Sequence, residues 1–156
     1  FQSKNLWVIM DMIKGRPERP SYIDGRLPYV DPQLRHFDPA LPKFPSEDEY
    51  NEGSFDSLKV HPTYYDTDYN RHVNNISYIV WLMESFPHEY LDHNLPEFFD
   101  VEWKKQCHLG DEIRVETKKK ENSEEYYTKI LRKCEDGSEE IAFHGITRWR
   151  KRVLDK

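Results

Sequence analysis

The sequence predicts an α+β domain in which an antiparallel sheet wraps around one long buried helix. Three observations lead there. The run Ile76-Ser77-Tyr78-Ile79-Val80-Trp81-Leu82-Met83 puts apolar residues nearly all round a helix, the pattern of a helix buried on most faces. Four stretches of strand-forming residues follow it, separated by turn residues. One helix followed by successive antiparallel strands makes a layered α+β arrangement.

Residues 5–14 read as a strand ending at Gly15. Residues 15–54 change character, because seven of the ten prolines lie between Pro17 and Pro45. Proline at that density prevents regular helix or central strand. The stretch reads as an extended connector docked on a surface through Tyr22, Leu27, Tyr29, Leu34, Phe37, Leu41 and Phe44. Residues 55–61 then read as a strand and 75–86 as the buried helix, with Asn74 or Asn75 as its cap. Pro87 suits the first turn of a second short helix over 88–93. Strands are expected near 98–107, 112–120, 124–135 and 139–152. Leu109-Gly110-Asp111 and Glu135-Asp136-Gly137-Ser138 supply turns, the second through an Asp-Gly hairpin signal. Tyr126, Thr128 and Ile130 alternate with Tyr127, Lys129 and Leu131, which is the period of a strand.

Composition narrows the function classes. Aromatic residues make up 14% of the chain, which argues against disorder. The formal net charge of −6 argues against a nucleic-acid binder. The richest apolar run, Ile76 to Met83, is too short to span a membrane, so no membrane insertion is expected. Two cysteines, Cys107 and Cys134, without C-x-x-C spacing imply neither a zinc site nor a disulfide framework. The chain begins without Met or a signal-peptide pattern, so its start reads as a cut or processed end, and the cysteine usage makes a reducing, cytoplasmic setting the expectation. Asn75-Ile76-Ser77 matches a glycosylation sequon but falls on the expected helix.

The segment just ahead of the helix carries the chemistry. Asp66-Thr67-Asp68-Tyr69-Asn70-Arg71-His72-Val73-Asn74-Asn75 sets a carboxylate, an amide and an imidazole against the helix start. If the segment is extended, Asp68, Asn70 and His72 project from one face, and the free N–H groups of the helix point back at them. Such a set suits a reaction in which negative charge develops on oxygen. The same residue types are also ordinary turn and capping residues, and Asp66, Asn74 and Asn75 read as caps.

The string D-x-D-x-N-x-H-V-N-N-x-x-Y-I-x-W-x-x-E-S-x-P runs without a gap from Asp66 to Pro87. It resembles the signature of the acyl-acyl carrier protein thioesterases, which release fatty acids from their carrier. The resemblance implies a hotdog fold, as part of a double-hotdog architecture. It divides the chain into the last strand of a first repeat (1–14), the connector (15–54) and a catalytic hotdog (55–156). It further implies catalytic roles for Asp68, Asn70 and His72, and for a Glu-Cys pair on the strand after the helix. The matching positions hold Gln106 and Cys107, and a Gln cannot serve as a base.

Two mechanisms follow from the resemblance. In one, Cys107 is a nucleophile activated by His72, whose imidazole Asn70 orients. In the other, which is preferred because a cysteine within a strand is usually inert, Asp68 activates water while His72, Asn70 and Gln106 position it. The implied partners are an acyl carrier protein bearing its fatty acyl group, and either a second copy or a first hotdog repeat. Arg148-Trp149-Arg150-Lys151-Arg152, or Arg71, Lys104 and Lys105, are candidates to face an acidic carrier. An acyl-CoA thioesterase and a non-catalytic acyl-thioester binding module are the alternative functions. His88, Asp92 and His93 lack an evident third strong metal ligand, and no Gly-rich phosphate loop or G-x-S-x-G is present. The reading therefore needs no cofactor and no metal.

Overall fold

Asn74 starts the helix by accepting the Ile76 N–H on its side-chain oxygen at 3.0 Å, and α1 runs Asn75–Glu84. The computed structural model in which it is seen describes residues 10–11, 13–14, 16–17, 44–55 and 57–153. The chain divides into two units, 1–43 and 44–156. In the first, β1 (Met10–Asp11) pairs antiparallel with β2 (Arg16–Pro17). The strand expected to reach Gly15 stops at Asp11. There the carboxylate accepts the N–H groups of Ile13 (2.9 Å) and Lys14 (3.0 Å) and turns the chain. Residues 5–9 and every expected connector anchor except Phe44 lie outside the described residues.

Among the described residues the second unit holds one sheet and two α-helices. β3 (Glu52–Ser54) and β4 (Leu58–Val60) both pair with β6 (Ile113–Lys119). β5 (Asn94–Trp103), β7 (Glu125–Lys133) and β8 (Glu139–Lys151) complete six antiparallel strands in the order β3-β6-β7-β8-β5. α2 (His88–His93) follows Pro87 as expected and runs straight into β5. β5 thus begins and ends four residues ahead of its expected span. Beyond Trp103 the ladder stops, because the Lys104 and Lys105 N–H groups share the Ala142 carbonyl (2.8 and 3.0 Å). Gln106 and Cys107, expected on a strand, sit in the loop that follows.

α1 lies on the sheet through Ser77, Tyr78, Trp81 and Leu82, which are buried. Their neighbours in the core include Phe86, Val115, Ile130, Phe143 and Trp149. The expectation of burial round most of the helix is only partly met. Ile76 and Val80 are 61% and 47% exposed, and with the exposed Glu84 they form one outward stripe at i, i+4, i+8. Beyond the helix end, the Ser85 hydroxyl donates to the Leu82 carbonyl at 2.7 Å. Thr117 must then donate to Ser85 and Thr128 to Thr117, both at 2.7 Å, so this buried hydroxyl chain is satisfied link by link.

Helix and sheet meet tightly at Gly145. A Cβ there would lie 2.9 Å from Leu82 Cδ1, 3.1 Å from Val101 Cγ1 and 3.3 Å from Phe143 Cε1. Only a glycine lets the fully buried Leu82 press onto β8.

The opposite face of the sheet is covered by residues 44–50, which the proline pattern had assigned to the connector. The compact unit begins at Phe44 rather than at 55. The Phe44 ring stacks on His144 at 3.8 Å, and the Tyr50 hydroxyl donates to Glu125 at 2.9 Å. Glu47, in a 3-10 turn over Glu47–Glu49, takes the ammonium groups of Lys118 (2.6 Å) and Lys129 (2.9 Å). Beneath this clasp, His144 Nε2 meets Glu102 at 2.6 Å and Nδ1 meets the Tyr127 hydroxyl at 3.0 Å.

Two outcomes follow. Gly145→Ala should destabilise the fold by roughly 1–3 kcal/mol through overpacking. In a Leu82→Ala background that penalty should shrink, since the nearest clashing methyl is gone while Val101 and Phe143 remain close. Urea unfolding of the two single variants and the double variant measures this coupling. Second, burial pushes the His144 imidazole below its ordinary value of 6.5, outweighing the hydrogen bond to Glu102. The unfolded chain then takes up the proton first as pH falls. Stability from neutral His144 should be complete above about pH 6.5 and decline as pH drops toward the depressed value. Thermal unfolding from pH 7 to 5 should show a smaller loss in His144→Gln than in the parent.

Candidate active site

Asp66, read as a cap, is one. Its Oδ2 accepts the Thr63 N–H and hydroxyl, both at 2.7 Å, closing a 3-10 turn over Tyr64–Asp66. Its carbonyl accepts the Asn74 N–H at 2.7 Å, so both ends of the polar segment meet. Inside this frame Asp68 Oδ1 accepts the N–H groups of Asn70 (2.8 Å) and His72 (3.1 Å). The Asp68 N–H donates to the His72 carbonyl at 2.8 Å, and the Arg71 N–H to the Asp68 carbonyl at 3.0 Å. Arg71 takes φ +63°, a left-handed conformation that costs a non-glycine residue about 1 kcal/mol or more. The segment is therefore a closed loop and not the extended strand that would align Asp68, Asn70 and His72 on one face. The cause is local: an Asp side chain that binds nearby N–H groups competes with the ladder.

A second segment is stapled to this loop. His72 and His108 form an antiparallel bridge, and the Val73 N–H donates to the Cys107 carbonyl at 2.8 Å. The Cys107 N–H donates to the Tyr78 hydroxyl at 2.8 Å, which ties the segment to α1. Arg132 Nη1 donates to the Gln106 carbonyl at 3.0 Å and ties it to β7. The five residues expected to act together are thus carried on two adjoining stretches of chain. Asp68, Asn70 and Gln106 are exposed and His72 is half-buried, while Cys107 is 0% exposed.

These environments assign different chemistry. Burial pushes the Cys107 thiol up to about 11, so it rests as a thiol at neutral pH. Burial also raises the Tyr78 hydroxyl above its ordinary value. Asp68 commits one oxygen to backbone donors and has a second, on an exposed residue, with which to meet water. Sequence reasoning missed His108. Its ring lies 5.3 Å from that of His72, at 79°. The signal available was its place between Cys107 and the Leu109-Gly110-Asp111 turn.

Other candidates stay apart from this cluster. A groove of about 420 Å³ is lined by Phe55, Tyr90, Thr117, Lys119, Glu124 and Tyr126, and by none of the five. His93 Nδ1 is engaged by the Glu89 carbonyl at 2.8 Å, and His88 lies 3.9 Å from Glu84. Among the described residues no His/Cys/Asp/Glu grouping is placed to hold a metal ion. Of the basic run, Trp149 is buried in the core and Arg148 pairs with Glu125 at 3.0 Å.

One helix held by an antiparallel sheet, with a polar loop at the helix N-terminus, is a hotdog fold. The 12:0-ACP thioesterase from Umbellularia californica superposes with a TM-score of 0.64 at 19% identity, over 92% of this chain and 53% of that one. A putative oleoyl thioesterase from Lactobacillus plantarum gives 0.61 at 20% identity, over 93% and 55%. Residues 49–151 match the acyl-ACP thioesterase C-terminal domain, and the chain belongs to that family. It is 28% identical over 134 residues to the chloroplastic oleoyl-acyl carrier protein thioesterase 2 of Arabidopsis thaliana, covering 72% of this chain and 35% of the relative. It is 33% identical over 104 residues to the chloroplastic acyl-[acyl-carrier-protein] hydrolase FATB2 of Cuphea viscosissima, covering 64% and 25%. The chain thus spans about a third or less of these relatives, and about half of the solved structures, as the C-terminal hotdog of a double-hotdog architecture.

The Tyr78 hydroxyl is the acceptor for a buried amide. Tyr78→Phe leaves the Cys107 N–H without a partner and should cost about 1–3 kcal/mol in chemical denaturation. Amide exchange at Cys107 and Val73 should accelerate in the same variant.

Proposed function

We propose that this domain hydrolyses fatty acyl-acyl carrier protein thioesters to free fatty acid and carrier thiol. The observation that carries the reading is the closed Asp68–His72 loop at the N-terminus of α1, stapled to Gln106–His108. Family membership supports it, as do the printed activities of the relatives.

In the reaction, the free oxygen of Asp68 takes a proton from water as the water oxygen attacks the thioester carbon. His72 and Asn70 hold the water and the carbonyl in line. The oxyanion of the tetrahedral intermediate is met by the Asn70 and Gln106 side-chain amides. Collapse breaks the C–S bond, and the carrier thiolate leaves and takes up a proton. Gln106 donates a hydrogen bond where a carboxylate would act as a base, so the proton-accepting role stays with Asp68. Cys107 is a packing residue in this scheme, because its thiol is buried and held protonated.

For partners, the exposed Arg71 within the loop, and Lys104 and Lys105 just ahead of Gln106 in the chain, would suit an acidic carrier protein. Among the described residues β5 pairs only with β8, and its Phe98, Phe99 and Trp103 are partly exposed. That open edge suits pairing with another hotdog, in a homodimer or from a first repeat. The two cysteines are unpaired, which agrees with a reducing compartment such as the cytoplasm.

Free-thiol release from matched acyl carrier protein and acyl-CoA substrates tests the reading. Asp68→Asn keeps an oxygen for the two N–H groups but loses the base, and should lower kcat by on the order of 10²-fold or more. Cys107→Ala should retain most activity. An inactive but folded Cys107→Ala, with an acyl-cysteine trapped in the parent, would install the thiol as nucleophile. Faster turnover of acyl-CoA would move the substrate class.

A further inference from the structure

The mechanism above leaves one imidazole of the cluster without a task. The ring of His72 has no hydrogen-bond partner among the described residues, and the His72 contact with Asp68 Oδ1 is made by its backbone N–H. A histidine that acts on a substrate needs its ring held in one orientation, usually through a partner on the other nitrogen. Here the neighbour of the His72 ring is another ring. His108 lies edge-to-face with it, 5.3 Å between centroids and 79° between planes, a favoured geometry for aromatic pairs.

The backbone beneath His108 is held from several directions. Its N–H donates to Asp111 Oδ2 at 2.8 Å, and its carbonyl accepts the Asp111 N–H at 3.2 Å. Gly110 takes φ +91° to close that turn. The bridge to His72 fixes the pairing on one side, and the bond from Arg132 to Gln106 anchors the entry to the turn. His108 thus starts from a fixed Cα and carries its ring against the half-buried one of His72.

We propose that His108 is a positioning residue: its ring braces the His72 imidazole in the orientation from which it meets the thioester. The proposal rests on the thioesterase reading for its kinetic consequence and on geometry alone for the brace. The role belongs to the flat ring and not to its nitrogens, so a phenyl group substitutes for it and a methyl group does not.

The experiment compares His108→Ala and His108→Phe with the parent, reading kcat and KM on an acyl carrier protein thioester. It also reads the three-bond couplings about χ1 of His72 by NMR. His108→Ala should lower kcat about tenfold, the population change a contact of this class sustains, with KM little altered. His108→Phe should recover kcat to within about twofold of the parent, by the same ring contact. The His72 couplings should report a single rotamer in the parent and in His108→Phe, and rotamer averaging in His108→Ala. Thermal unfolding should be nearly unchanged in both variants, because His108 is exposed. Unaltered His72 couplings in His108→Ala overturn the brace. So does a His108→Phe variant as slow as His108→Ala, which would assign His108 to proton transfer. A parent without hydrolase activity would defeat the thioesterase reading, while the couplings would still decide the brace.

Discussion

The bond from the Cys107 amide to the Tyr78 hydroxyl joins the core of this domain to its chemistry. Tyr78 is packed between Trp81 and Phe143, with centroids 5.4 and 5.8 Å away, so the position of its oxygen is set by how α1 lies on the sheet. That in turn is set by Leu82 resting on Gly145. The Tyr78 oxygen holds the Cys107 amide, the Cys107 carbonyl holds the Val73 amide, and His72 is the next residue along. A buried amide left without an acceptor costs more than a made hydrogen bond gains, so each link is strongly specified. An exposed loop thereby acquires the precision of a packed interior, as the proposed orienting of water and a carbonyl would require.

Much of the fold was legible from local pattern. The spans of β6, β7 and β8 agree with expectation to within two residues at either end, because alternation and the Asp-Gly turn are local signals. β5 begins ahead of its expected span although it contains Pro96, a residue that biases against strand. It is tolerated here because β5 is an edge strand with a register shift between Pro96 and Phe98. Residues 44–50 were hidden by the same proline bias. Phe44 was expected to dock on a surface and does, but nothing local identifies the partner it covers, a hundred positions away at His144.

The site was legible by residue type and not by shape. Asp68, Asn70 and His72 stand out because polar groups ahead of an apolar helix are conspicuous. Their arrangement depends on a left-handed Arg71, and no sequence signal distinguishes that arginine from one in a strand. The neighbourhood of His72 and His108 depends on pairing two segments far apart in the chain, so only the folded molecule reveals it. The environment of Cys107 is likewise tertiary. Its thiol is raised by burial under α1 and the sheet, and a residue name cannot report that.

The closure of the Asp66–Asn74 loop sets how it opens. The amides of Asp68, Arg71, His72, Val73 and Asn74 all donate into the loop or into the Cys107 segment that holds it. Releasing any one of them by rotation strains the others, since Arg71 already sits in a sparsely populated conformation. The loop therefore behaves as a single cooperative element, shut or undone as a unit, rather than as a chain of independently fraying contacts. That makes the closed geometry a discrete state whose population, rather than its average shape, governs how often the candidate site is assembled.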